Sequence, residues 1–174
     1  MAIPSPGKIV GAIAYLDGNE VLGSVEMTLP DIKFLTEAVD SLASSGEVDL
    51  ILPKLEKMVT EIKANVPSDV LAKAAFSRGS NLILDARGSW QVDDPATGTF
   101  AVGEKIIFHV RGLGMGLGSQ GNSSGGERTG TFAVYGLEYS IDNVEQLYWM
   151  GLGQNILRID GVDQMQVHRN NLGT

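Results

Sequence analysis

The chain has 174 residues, enough for one domain with a proper core, and its 43% hydrophobic and 20% charged content excludes a disordered tail. A formal charge of −8 excludes a dominant basic surface, and with it a sequence-independent grip on nucleic acid. With no cysteine there is no disulfide, no thiol chemistry and no cysteine metal site.

Residues 1 to 8 carry Pro4, Pro6 and Gly7 and read as an extended arm. The apolar run Ile9 to Leu16 is far below the ~20 residues that a membrane span needs. Asp17-Gly18-Asn19 follows at once, so the run reads as a strand rather than as the core of a signal peptide, and a soluble, unsecreted protein is expected. Beyond the turn, Val21, Gly23, Val25, Met27 and Leu29 alternate with Glu20, Leu22, Ser24, Glu26 and Thr28, the period of a half-buried strand.

The segment from 30 to 65 is ambiguous by local signals. Leu55, Met58, Val59 and Ile62 form a helical stripe, and the lysines and glutamates around them favour a helix over 53 to 64. A firmer helix follows Pro67, with Ser68 as N-cap and Asp69 in its first turn, and runs to about Phe76.

From residue 79 the pattern is that of strands. Leu82, Leu84, Ala86, Trp90 and Val92 share one face. Ile106, Phe108 and Val110 oppose Ile107, His109 and Arg111. Residues 131 to 151 read as a hairpin turning at Asp142-Asn143, and the stretch around Ile156 to Ile159 gives one more short strand. The architecture expected is antiparallel β, a sandwich or barrel, with one short flanking helix or two.

The stretch GLGMGLGSQGNSSGGERTG, residues 112 to 130, holds 8 of the 22 glycines and spells two motifs. Gly116, Gly118 and Gly121 match the dinucleotide fingerprint, but a phosphate loop needs a helix N-terminus after it, and NSSGGERTG cannot start one. Gly121, Ser123 and Gly125 match a nucleophile elbow, with acids and then His168 downstream in hydrolase order. An elbow, however, needs a tight strand-to-helix turn that this composition cannot hold. The expected reading is a flexible loop joining two strands.

His109 and His168 lack ligand-spaced partners, so no metal or other cofactor is expected. Asp93-Asp94 precedes Pro95 in a turn, and Tyr135, Tyr139, Tyr148 and Trp149 read as strand aromatics. No catalytic constellation survives, which points to an interaction or assembly protein. The remote enzymatic alternative is a small hydrolase using Ser123 and His168.

Both ends of the chain carry a more specific signal. AYLDGNEVLGSVEMTLPDIK, then ARGSWQVDD, then the closing LEYSIDNVEQLYWMGLGQNILRIDGVDQMQVHRNNLGT resemble the major tail tube proteins of contractile-tailed phages and R-type bacteriocins. The closing stretch includes a Gly-Val-Asp turn (Gly161, Val162, Asp163) and a tail with Arg169, Leu172 and Gly173. Roughly 60% of the chain is covered in the same order and with similar spacing. The departures lie between 33 and 66 and in the glycine-rich loop.

The resemblance implies a single tail-tube domain over residues 1–174. That domain would be mainly β, an antiparallel sandwich or barrel with a short flanking helix, assembling into hexameric rings that stack into a tube inside a contractile sheath. It also implies strands at about 33 to 40 and 56 to 64 forming one long hairpin, in place of the local helix, and tertiary context outweighs propensity there. Implied partners are copies of itself, the sheath, the tape-measure protein, and baseplate and tail-terminator proteins, with DNA passing through the lumen without specific binding. The place implied is the virion tail, assembled in the bacterial host cytoplasm, and the same tube in a headless bacteriocin or injection device is the alternative. Expected assembly positions are Pro4, Pro6, Phe34, Leu35, Gly116, Gly121, Gly161, Asp163 and Arg169.

Overall fold

The computed structural model describes residues 8–18, 20–21, 25–39, 48–64, 69–77, 79–94, 98–118 and 127–173. Its elements run in the order β1 (Lys8–Leu16), β2 (Glu20–Val21), β3 (Val25–Thr28), β4 (Phe34–Val39), β5 (Val48–Leu55), β6 (Met58–Ala64), α1 (Asp69–Phe76), β7 (Leu82–Asp94), β8 (Gly98–Gly116), β9 (Arg128–Ile141), β10 (Val144–Met150), β11 (Ile156–Ile159), β12 (Val162–Asp163) and α2 (Gln166–Leu172). The protein is mainly β, with antiparallel sheets and two short helices, as expected.

Ten strands form one sheet in the order β12-β11-β10-β9-β8-β7-β1-β2, with β6 added along β9 and β3 along β6. Side chains of β1 and β6, four steps apart in this sheet, meet in one buried cluster, so the sheet curls around its core. The register makes the two faces explicit. Leu16, Leu84, Phe108, Leu137, Trp149 and Leu157 stand opposite one another strand by strand and face the core. One residue over, Tyr15, Asp85, Ile107, Glu138, Tyr148, Arg158 and Asp163 form a parallel row on the other face. This is the period-two signal realised across seven strands.

Turn chemistry fixes that register. Asp142 and Asn143 both adopt left-handed backbone (φ 49° and 63°), as do Asp160 and Gly161 (49° and 76°), the conformation that two-residue hairpins require. In β9 the ladder to β8 skips Tyr135, which is left as a bulge. Buried positions therefore shift from the even residues Phe132 and Val134 to Leu137. The same bulge divides the other edge of β9, where Arg128–Val134 pairs with β6 and Gly136–Ile141 pairs with β10.

The helix that local signals favour over 53 to 64 is not formed; the strand that the resemblance implies at about 56 to 64 forms instead, as β6. In β6, Met58, Thr60, Ile62 and Ala64 are buried in strict alternation, because the strand lies between β3 and β9. The expected pairing of 33–40 with 56–64 is also corrected: β4 pairs with β5, and β6 returns to the main sheet. Helix α1 forms as expected, while its proposed cap Ser68 lies outside the described residues. Its Leu71, Ala74 and Ala75 are buried against β8 and β9. The close approach depends on glycine, since a Cβ at Gly112 would overlap the carbonyl oxygens of Ala74 and Ala75. The second short helix is α2, at Gln166–Leu172, where no helix was expected, rather than over 53 to 64.

Candidate assembly surface

The strands β4 and β5 form a two-stranded sheet that pairs with no other described strand. A lone hairpin of this kind has too little burial to hold its shape unaided. Its base is tied in, because the Glu56 N–H donates to the Lys33 carbonyl at 2.9 Å and Leu55 packs against the core. Beyond the base, Phe34 (38% exposed), Leu35 (41%), Leu50 (53%) and Ile51 (67%) face solvent. Apolar side chains on both strands of an uncovered hairpin are a docking surface in chemical terms. Two expected assembly residues, Phe34 and Leu35, lie here at the start of β4. Leu50 and Ile51 were not anticipated, although the run Leu50-Ile51-Leu52-Pro53 carries the signal.

The C-terminal residues form a different cluster. The β11–β12 turn at Gly161 delivers Asp163, whose carboxylate accepts the Met165 N–H at 2.9 Å and both an ion pair and hydrogen bonds from Arg169. Arg169 also donates to the Asn155 carbonyl at 3.0 Å. The Arg169 guanidinium holds the Asp163 carboxyl below its ordinary pKa, against the opposing effect of burial. Close by, Arg158 grips Glu145 with two bonds of 3.0 and 2.8 Å and stacks on the Tyr148 ring at 4.2 Å. Asp163 and Arg169 therefore anchor α2 within the chain. The helix itself buries no residue, and its Val167 and Leu172 remain exposed.

The glycine-rich stretch is partly ordered as strand. Gly112 to Gly116 belong to β8, with Gly116 opposite Thr129 of β9, so 112–116 and 128–130 are ladder rather than loop. The chain passes from β8 to an antiparallel neighbour, and the strand–helix unit that a dinucleotide fingerprint or a nucleophile elbow needs is not formed by the described residues here. Gly121 and Ser123, like Pro4 and Pro6, lie outside the described residues. His168 is exposed on α2. His109 lies on β8, 3.3 Å from Glu138. Among the described residues no cluster of acids and histidines could hold a metal ion, and no helix is long and apolar enough to cross a membrane.

An antiparallel domain with an uncovered apolar hairpin presents a surface on which another protein surface can dock. Residues 6–173 match the family described as phage tail tube protein FII, and the chain belongs to that family. No curated protein matches the chain. Membership gives it a structural role in the tail tube of a bacteriophage, as a virion tail component that assembles with other tail proteins; the family is not enzymatic.

Proposed function

We propose that this chain, acting as a single domain over residues 1–174, forms hexameric rings that stack into the inner tube of a contractile tail and conduct DNA. The observation that carries the reading is the β4–β5 hairpin, with Phe34, Leu35, Leu50 and Ile51 open to solvent. A heterologous contact that closes makes a ring, and a second, axial contact that does not close makes a filament. In this reading Phe34 and Leu35 meet the neighbouring copy. Pro4 and Pro6 in the arm, and Gly116 and Gly121, meet the next ring. Gly161, Asp163 and Arg169 act by setting the position of α2.

The sheath surrounds the tube, the tape-measure protein fills it during assembly in the host cytoplasm, and baseplate and tail-terminator proteins close its ends. The charge of −8 suits a conduit in which DNA slides by like-charge repulsion. Negative-stain electron microscopy of the purified protein over a concentration series tests the proposal. Hexameric rings or stacked tubes support it. Monomers at every concentration, including with a tail baseplate added as nucleus, would overturn it. Co-assembly with a contractile sheath protein tests the contractile part separately.

A further inference from the structure

The ladder between β8 and β9 ends where the Asp142 N–H donates to the Gly103 carbonyl and the Gly103 N–H donates to Asp142 Oδ1, both at 2.8 Å. Beyond that point β8 continues for five more residues, Gly98 to Val102, paired with β7 on one side only. Backbone groups of alternate residues in an antiparallel strand point to the same side. Since Gly103 points away from β7, so do the N–H and C=O groups of Ala101 and Thr99, and no described strand takes them.

This edge lacks the usual protection. Gly98-Thr99-Phe100-Ala101-Val102-Gly103 contains no charge and no proline, and its pairing with β7 runs without a bulge. Its flank is apolar as well: Trp90, Val92, Phe100 and Val102 stand in register on one face, with Phe100 43% exposed. An unguarded edge of this kind is a template for an added strand.

We infer that the open edge of β8 at Thr99 and Ala101 receives the β4–β5 hairpin of a second copy of this chain. Each element has one open edge. Strand β4 of the hairpin has six residues and pairs with β5 alone, and it matches the six uncharged residues of the β8 edge in length. On one face it brings exposed Leu35 and Leu50 to the apolar flank. The inference rests on the self-assembly reading above and names the two surfaces that meet in it.

Two experiments test it on the full chain, whose lack of cysteine makes labelling clean. Ala101→Cys is combined in turn with Leu35→Cys, Thr36→Cys and Glu37→Cys, and assembled material is treated with a short bismaleimide. The expected result is a ladder of cross-linked oligomers from at least one double variant and none from Ala101→Cys alone. The second variant, Ala101→Pro, removes the outward N–H without touching the β7 ladder. It is expected to leave the circular dichroism and thermal midpoint of the monomer unchanged while lowering the yield of assemblies at least tenfold. Tubes that form without any such cross-link, or that tolerate Ala101→Pro, overturn the inference and leave the tube reading standing. If the unmodified chain forms no ring or tube at all, the tube reading fails first, and the inference falls with it.

Discussion

Arg169, within α2, donates to the carboxylate of Asp163 six residues earlier, and that same carboxylate caps the Met165 N–H. One acid thus fixes both the entry and the body of a helix that buries none of its own residues. Replacing Arg169 by Ala is expected to cost about 1.5–3 kcal/mol, the range for a hydrogen bond to a charged group, and to raise hydrogen exchange across 166–172 first. Equal exchange in the variant and the parent would show that α2 is held by something else.

The pH dependence of this contact has a definite sign. Arg169 depresses the folded-state pKa of Asp163 below 3.8. Its contribution is therefore complete above the carboxylate's ordinary range and is lost as pH falls through the lower folded value. Exchange protection of α2 is expected to be flat from neutrality down to about pH 4.5 and to fall below that. Asp163→Asn should flatten the profile at the lower level throughout. A drop centred near pH 6 would point to a histidine instead.

Gly112 and Gly114 offer a matched pair of substitutions two residues apart on β8. A Cβ at Gly112 collides with the backbone of α1, whereas one at Gly114 meets nothing within 4 Å. Gly112→Ala is expected to destabilise by about 2–3 kcal/mol, a thermal shift of roughly 4–12 °C for a chain this size. Gly114→Ala should stay within about 0.5 kcal/mol of the parent. Similar midpoints for the two variants would mean that α1 yields without cost.

Stability and assembly should separate cleanly on the hairpin. Phe34→Ser together with Leu35→Ser removes exposed apolar surface, so the monomer's midpoint is expected to move by less than about 1 kcal/mol in equivalent stability. Rings and tubes should disappear from micrographs. By contrast, Leu157→Ala empties a site that is 1% exposed, beneath the row shared with Trp149, and is expected to cost about 2–4 kcal/mol. Chemical denaturation distinguishes the two, and intact tubes from the hairpin variant would remove the apolar hairpin from the interface.

Where one face is core and the other is wet, the sequence was readable: the alternation in β7 and β8, the Asp142-Asn143 turn and the start of α1 all follow from local chemistry. It was misleading in β6, because the buried position Thr60 is polar. Its hydroxyl donates to the Thr28 carbonyl at 2.9 Å, so a hydroxyl sits where the alternation requires an apolar residue, and the helical spacing of Leu55, Met58 and Ile62 stood out instead. Helix α2 was missed for the opposite reason. It has no apolar stripe, and its signals were only Asp163 ahead of it and Gly173, in left-handed backbone, behind it. The bulge at Tyr135 and the open edge of β8 depend on which strands become neighbours, and periodicity in one strand carries no such information.

The bulge at Tyr135 has a mechanical meaning. Below it, β9 is stitched to β6, which leads through Glu56 and Lys57 straight into the exposed hairpin; above it, β9 is stitched to β10 and through that strand to β11, β12 and α2. Along this edge the hairpin side and the C-terminal side share one strand, which pairs with β8 along its opposite edge on both sides of the bulge. A pull applied at either side is carried as shear along β9, where many hydrogen bonds must break together rather than one by one. A subunit wired in this way is expected to give way last at its centre under a lengthwise pull.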